Sequence, residues 1–170
     1  MKIDVNDPNN WIPKDIFESY CGDKSDKLLS FYDKAVEKRK MYTLSLNWGA
    51  LLLLPAWLGY RRQWTTLAII TVLIAVLPFF EALFSISISN SSVLGVQIAI
   101  GLLANGFLLI TAQSEFSKLK QNGTDNYTIK SVLEGKASPS MKYAILSLVA
   151  YFVILFGMAL IADVLIGLPY

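Results

Sequence analysis

Two carboxylates, Glu81 and Asp163, sit within long apolar stretches of this chain. An ionised carboxylate among lipid-compatible side chains is costly, so such groups handle protons or cations, face a wet cavity, or stay neutral and hydrogen-bond to a neighbouring helix. Gln97 and Asn105 lie in the next apolar stretch, where Gln97, Gly101, Ala104 and Asn105 recur at helical spacing. That spacing makes a small, polar stripe suited to close helix packing. Gln97 falls at about the depth of Glu81 if the two segments run antiparallel. Two readings stay open: Glu81, Gln97 and Asp163 line a polar notch for a proton, a cation or a partner group, or Glu81 is a neutral structural contact and Asp163 reaches the outer interface. Pro78, three residues before Glu81, adds a bend.

Other chemistry is largely excluded. The chain has no histidine and one cysteine, Cys21. Without imidazole the commonest general base, the Ser-His and Cys-His nucleophile pairs and histidine metal sites are missing. Neither a phosphate-binding loop nor a glycine-rich dinucleotide turn is present, so no catalysis, cofactor or metal is expected. Residues 1–42 hold eight acids and eight bases, which argues against nucleic acid as a partner.

The elements that must position these residues follow from hydropathy. With 54% hydrophobic and 16% charged residues in 170, the chain reads as an all-α integral membrane protein. An N-terminal segment, 1–42, carries a short helix behind Pro13 and a longer amphipathic one, from Ser25 or Asp26 to about Tyr42, whose apolar face is Leu28, Phe31, Tyr32 and Ala35. A membrane domain, 43–170, then holds four apolar segments: 44–60, 64–88, 93–111 and 141–166. The last three are long enough to span.

The first apolar segment is different. Trp48, Trp57, Tyr60, Arg61, Arg62 and Trp64 crowd around it, as residues that anchor at a membrane interface do. The eight residues between Trp48 and Trp57 would rise only about 12 Å as a helix, against a hydrocarbon core of about 30 Å. Pro55 interrupts the run, and basic clusters flank it on both sides, Lys38-Arg39-Lys40 and Arg61-Arg62. A re-entrant or interfacial segment keeps both clusters on one face. The remaining three helices then place the N-terminus and the loop 112–140, with Lys118, Lys120, Lys130 and Lys136, in the cytoplasm, and the C-terminus on the outer face.

The residues Asn47, Trp48, Ala50, Trp57, Tyr60 and Arg61 form the pattern NWxAxxxxxxWxxYR, preceded by an aromatic-rich approach from Ser19. This pattern resembles the hallmark of a bacterial membrane family classed as domain of unknown function 2628. The resemblance implies a bacterial inner membrane and a multi-pass architecture, and it transfers no site. Leu46 stands in place of the family's Phe and Arg62-Gln63 in place of Lys-Met. The expected function is an accessory or scaffold subunit of an inner-membrane assembly, with membrane lipids and other subunits or itself as partners. The alternatives are a small oligomeric ion or solute transporter using Glu81, and a lipid-interacting, membrane-shaping protein.

Overall fold

The computed structural model describes residues 10–23, 25–77, 84 and 90–166. Eight helices and no strand occur among the described residues. The first two, α1 (Lys14–Cys21) and α2 (Asp26–Glu37), bury Ile16, Phe17 and Tyr20 from one and Leu28, Phe31, Tyr32 and Ala35 from the other. The apolar face expected of the amphipathic helix is therefore covered from within the chain. It ends at Glu37, earlier than the periodicity predicts, because Lys40 N–H reaches the Ala35 carbonyl and Arg39 N–H the Val36 carbonyl. This is the Schellman closure of a helix, with Arg39 at φ 51° in the left-handed position glycine usually takes.

Beyond it, residues 41–47 belong to no helix; their burial alternates as in an extended chain, and Asn47 is extended at φ −113° and ψ 98°. Two short helices follow, α3 (Trp48–Leu52) and α4 (Leu54–Tyr60). The segment 44–60 is thus not one continuous helix. Asn47 caps α3 by accepting from Ala50 N–H at 3.1 Å, Leu53 breaks the helical path with ψ 58°, and Pro55, whose missing N–H is harmless in a first turn, starts α4. α4 closes as α2 does, with Arg62 left-handed at φ 54°, Arg62 N–H on the Gly59 carbonyl and Gln63 N–H on the Leu58 carbonyl. α5 (Trp64–Ala75) covers the described start of the expected span 64–88 and turns Leu67, Thr71 and Ala75 inward. Glu81 and Pro78 lie outside the described residues.

α6 (Asn90–Gln121) is longer than the expected span 93–111, and this corrects the expected loop 112–140. The helix continues through that region because Leu108, Leu109, Ala112 and Phe116 pack into the same core as α1 and α2. No breaker intervenes before Asn122 and Gly123, where φ is 78°. α7 (Asn126–Leu133), capped by Asp125, adds Ile129 and Leu133 to that core. α8 (Met141–Ile166) is the expected fourth segment. Of the three crossings expected, two described helices, Gln97–Gln121 and Met141–Ile161, are long and apolar enough. A second, smaller core joins Ala50, Leu54, Leu58, Leu67 and Ala104 between α3, α4, α5 and the first half of α6.

Candidate functional site

The polar residues of the apolar region converge on a seam where the chain 41–51 lies against α6. Close approach is possible because α6 presents little side chain there. A Cβ at Gly101 would sit 3.0 Å from Leu51 Cα, and one at Gly106 3.0 Å from the Met41 carbonyl oxygen. Extended backbone in an apolar setting needs partners for its amides. Ser45 N–H donates to the Leu102 carbonyl at 3.1 Å and Asn47 N–H to the Gly101 carbonyl at 3.2 Å.

Side-chain amides complete the seam. Asn47 Nδ2 donates to Asn105 Oδ1 at 2.8 Å, and Asn105 Nδ2 donates to Ser45 Oγ at 2.7 Å. Gln97 Nε2 donates to the Leu51 carbonyl at 2.7 Å, supplying a donor where α3 runs out of helix. The stripe read from the sequence as Gln97, Gly101, Ala104 and Asn105 therefore meets the segment 41–51. Asn47 caps α3 and joins the amide chain with the same side chain.

A second cluster forms where α4 ends. Arg61, expected among the interfacial anchors, is instead only 7% exposed. Its Nη1 donates to the carbonyls of Cys21, at 3.2 Å, and Ala137, at 3.4 Å. The last carbonyls of α1, which a helix cannot satisfy internally, are consequently all met: Glu18 by Gly22 N–H, Ser19 by Gly135 N–H, Tyr20 by Ala137 N–H and Cys21 by Arg61. A cation at a helix C-terminus is also favoured by the helix dipole. Burial pulls the Arg61 guanidinium below its ordinary pKa and pushes the neighbouring Cys21 thiol up to about 12. Cys21, wholly buried, is a packed and unreactive thiol. Tyr20 is raised as well, by burial, and its hydroxyl accepts from Gln63 Nε2 at 3.3 Å.

The other expected anchors divide. Trp48, Arg62 and Trp64 are exposed, whereas Trp57 and Tyr60 are half-buried. Trp57 lies against Gly49, where a Cβ would come within 2.9 Å of its ring. Trp64 packs edge-on to Tyr143 with centroids 5.5 Å apart, and the Arg62 guanidinium lies 5.2 Å from the same ring's centroid. Asp163 belongs to α8, but its side chain, like the whole of Glu81, lies outside what the structure describes, and the expected notch with it.

Several residues of these clusters carry no strong sequence signal. Gly59 lies so close to α8 that a Cβ would collide with Ser147 and the Tyr143 carbonyl. Ser147 Oγ donates to the Pro55 carbonyl at 2.8 Å and fixes the same crossing. Gln113 accepts from Ile12 N–H at 2.6 Å and donates to the Asn10 carbonyl at 2.8 Å, holding the N-terminal arm as a strand partner would. A glycine in a Trp-Leu-Gly-Tyr run and a glutamine in a long helix were the available hints. Their partners lie about ninety to a hundred residues away in sequence.

The class of protein defined by these features is an all-helical chain with two helices able to cross a membrane and a glycine- and amide-lined seam between its apolar elements. The chain belongs to the family described as Protein of unknown function (DUF2628), whose model matches residues 20–113 and so includes Asn47, Arg61, Gln63, Gln97 and Asn105. No curated protein and no solved structure matches it.

Proposed function

We propose that this chain is a non-catalytic accessory or scaffold subunit of a bacterial inner-membrane assembly. The observation that carries this reading is how the polar groups are used: Gln97, Asn105 and Asn47 in the seam, and Ser147 at the α4 to α8 crossing, each bond to backbone or to one another. Polar groups used in this way join helices and do not line a pathway. In the proposed topology the N-terminal lobe is cytoplasmic, 64–88 crosses outward, α6 returns and α8 leads to the outer face.

The re-entrant reading of 44–60 has geometric support. Met41 meets α6 at Gly106 and Leu51 meets it at Gln97, a descent of about 14 Å at the helical rise. α4, of seven residues, returns about 10 Å, and neither limb approaches the roughly 30 Å of a bilayer core. The exposed Leu52 and Leu53 would form the buried tip of this wedge and favour membrane shaping as the second reading.

Purification in gentle detergent followed by native mass spectrometry tests the proposal. Stoichiometric foreign subunits are expected. A pure homo-oligomer with an ion flux abolished by Glu81→Gln would replace the scaffold by a transporter, and a monomer retaining only lipid would favour the wedge. Labelling Lys40→Cys and Arg62→Cys from each side checks the topology. Access from opposite faces would rule out the re-entrant segment.

A further inference from the structure

The extended segment after α2 has two faces of opposite character. Its odd-numbered residues turn toward α6: Met41 and Thr43 are buried, and Ser45 and Asn47 are half-buried and bonded there. Its even-numbered residues turn outward, with Tyr42, Leu44, Leu46 and Trp48 exposed by 63%, 67%, 48% and 64%. The period of two is that of extended backbone, and the six steps from Tyr42 to Trp48 can span at most about 20 Å. Further along the segment Leu52 and Leu53 are exposed as well.

At the head of the row stand Lys38, Arg39 and Lys40, all exposed and, among the described residues, without a side-chain hydrogen bond or ion pair. The nearby acids on α2 are Asp33, paired with Lys14 at 2.7 Å, and Glu37. From residue 38 to residue 80 the chain has five bases and no acid. Arg39 also occupies a left-handed position where glycine would be unstrained. A costly backbone conformation kept for a charged side chain points to a use for that side chain.

We propose that Lys38-Arg39-Lys40 and the outward row Tyr42, Leu44, Leu46 and Trp48 bind an anionic phospholipid. The headgroup phosphate lies on the basic triplet and the acyl chains lie along the row. The charge selects an anionic headgroup, and the apolar row requires that the anion carry chains. This deepens the membrane reading above and does not depend on the identity of any subunit.

The test uses the full-length protein in a neutral detergent, titrated with phosphatidylglycerol and with phosphatidylcholine of the same acyl chains, with bound lipids counted by native mass spectrometry. The expected result is a preference for phosphatidylglycerol that falls about tenfold or more in the triple variant Lys38→Ser, Arg39→Ser, Lys40→Ser. The double variant Lys118→Ser, Lys120→Ser should leave the preference intact. Leu44→Ser with Leu46→Ser should weaken both lipids alike. Arg39→Gly separates binding from folding, since it relieves the backbone while removing a charge: the preference should drop several-fold with the melting temperature unchanged or raised.

The proposal is overturned if the triple variant keeps the preference, or if both lysine-removing variants lose it equally, which would mean diffuse attraction. It also fails if soluble glycerol phosphate displaces the lipid at equal concentration, or if the triplet controls retention of a protein partner and not of lipid. The scaffold reading is tested by the subunit composition of the unsubstituted protein, which the lipid counts of these variants do not alter, so the two fail separately.

Discussion

The lobe around α1, α2, α7 and the end of α6 and the lobe around α3, α4, α5, α8 and the start of α6 are packed with opposite materials. In the first, Trp11, Ile12, Phe17, Tyr20, Phe31 and Leu109 are buried while Lys14, Asp15, Asp33 and Lys130 lie outside. In the second, the buried positions include Ala50, Gly59, Thr71, Ala104, Asn105 and Ser147, and the large side chains Leu73, Ile145, Val149, Phe152, Val153 and Phe156 face outward. Water rewards the first arrangement by the hydrophobic effect. In an apolar solvent the second would gain nothing from hiding apolar surface, and backbone proximity and hydrogen bonds would hold it together. The difference supports reading one lobe as bathed by water and the other by lipid.

The contrast between the lobes is tested most severely by enlarging the tightest contact of the second. Gly59→Val places a branched side chain against Ser147 and the Tyr143 backbone, and a loss of about 3 kcal/mol or of folded protein altogether is expected. Melting in detergent checks it; an unchanged midpoint would mean that α4 and α8 do not need this approach.

At the junction of the lobes, Arg61→Met removes the donor shared by the Cys21 and Ala137 carbonyls, for an expected cost of about 2 kcal/mol. Arg62→Met, whose Nη1 donates at 3.3 Å to the Gly135 carbonyl from an exposed position, should cost clearly less. Cys21 reports the change, because maleimide should label it quickly in Arg61→Met and hardly at all in the wild type.

Alkali sharpens the same point without mutation. Cys21 is raised from an ordinary value of 9.0 to about 12 and Tyr20 is raised from 10.0, so the folded state holds protons that the unfolded chain releases. Their contribution is fully present below about pH 9 and is lost as pH climbs toward 12. Denaturation midpoints should fall across that window, and less steeply in Cys21→Ala; a slope unchanged by that substitution would remove Cys21 as the cause.

In the seam, a double-mutant cycle of Asn47→Ala and Asn105→Ala should return a coupling of about 1 kcal/mol, comparable to interhelical hydrogen bonds in membranes. Zero coupling would leave glycine packing alone as the cause of the close approach. The smallest effect belongs to the water-facing lobe. Lys14→Ala, which breaks an exposed ion pair with Asp33, should shift stability by about 0.5 kcal/mol or less, and 0.5 M salt should erase the difference.

The all-helical class, the family and the apolar segments were legible in the sequence alone, which carries periodicity, capping residues and the Asn47 to Arg61 pattern as local signals. Also legible there were the interruption of the first segment by Pro55 and the stripe shared by Gln97, Gly101, Ala104 and Asn105, since helical spacing alone places them together. Tertiary structure decided what the stripe meets. It also decided that α6 runs on to Gln121, that Arg61 turns inward to close α1 rather than outward to an interface, and that Gly59 and Ser147 fix the α4 to α8 crossing. Those outcomes depend on which distant carbonyl lacks a donor and which distant backbone comes close. Both are set by packing between residues far apart in the chain, to which no local pattern is sensitive.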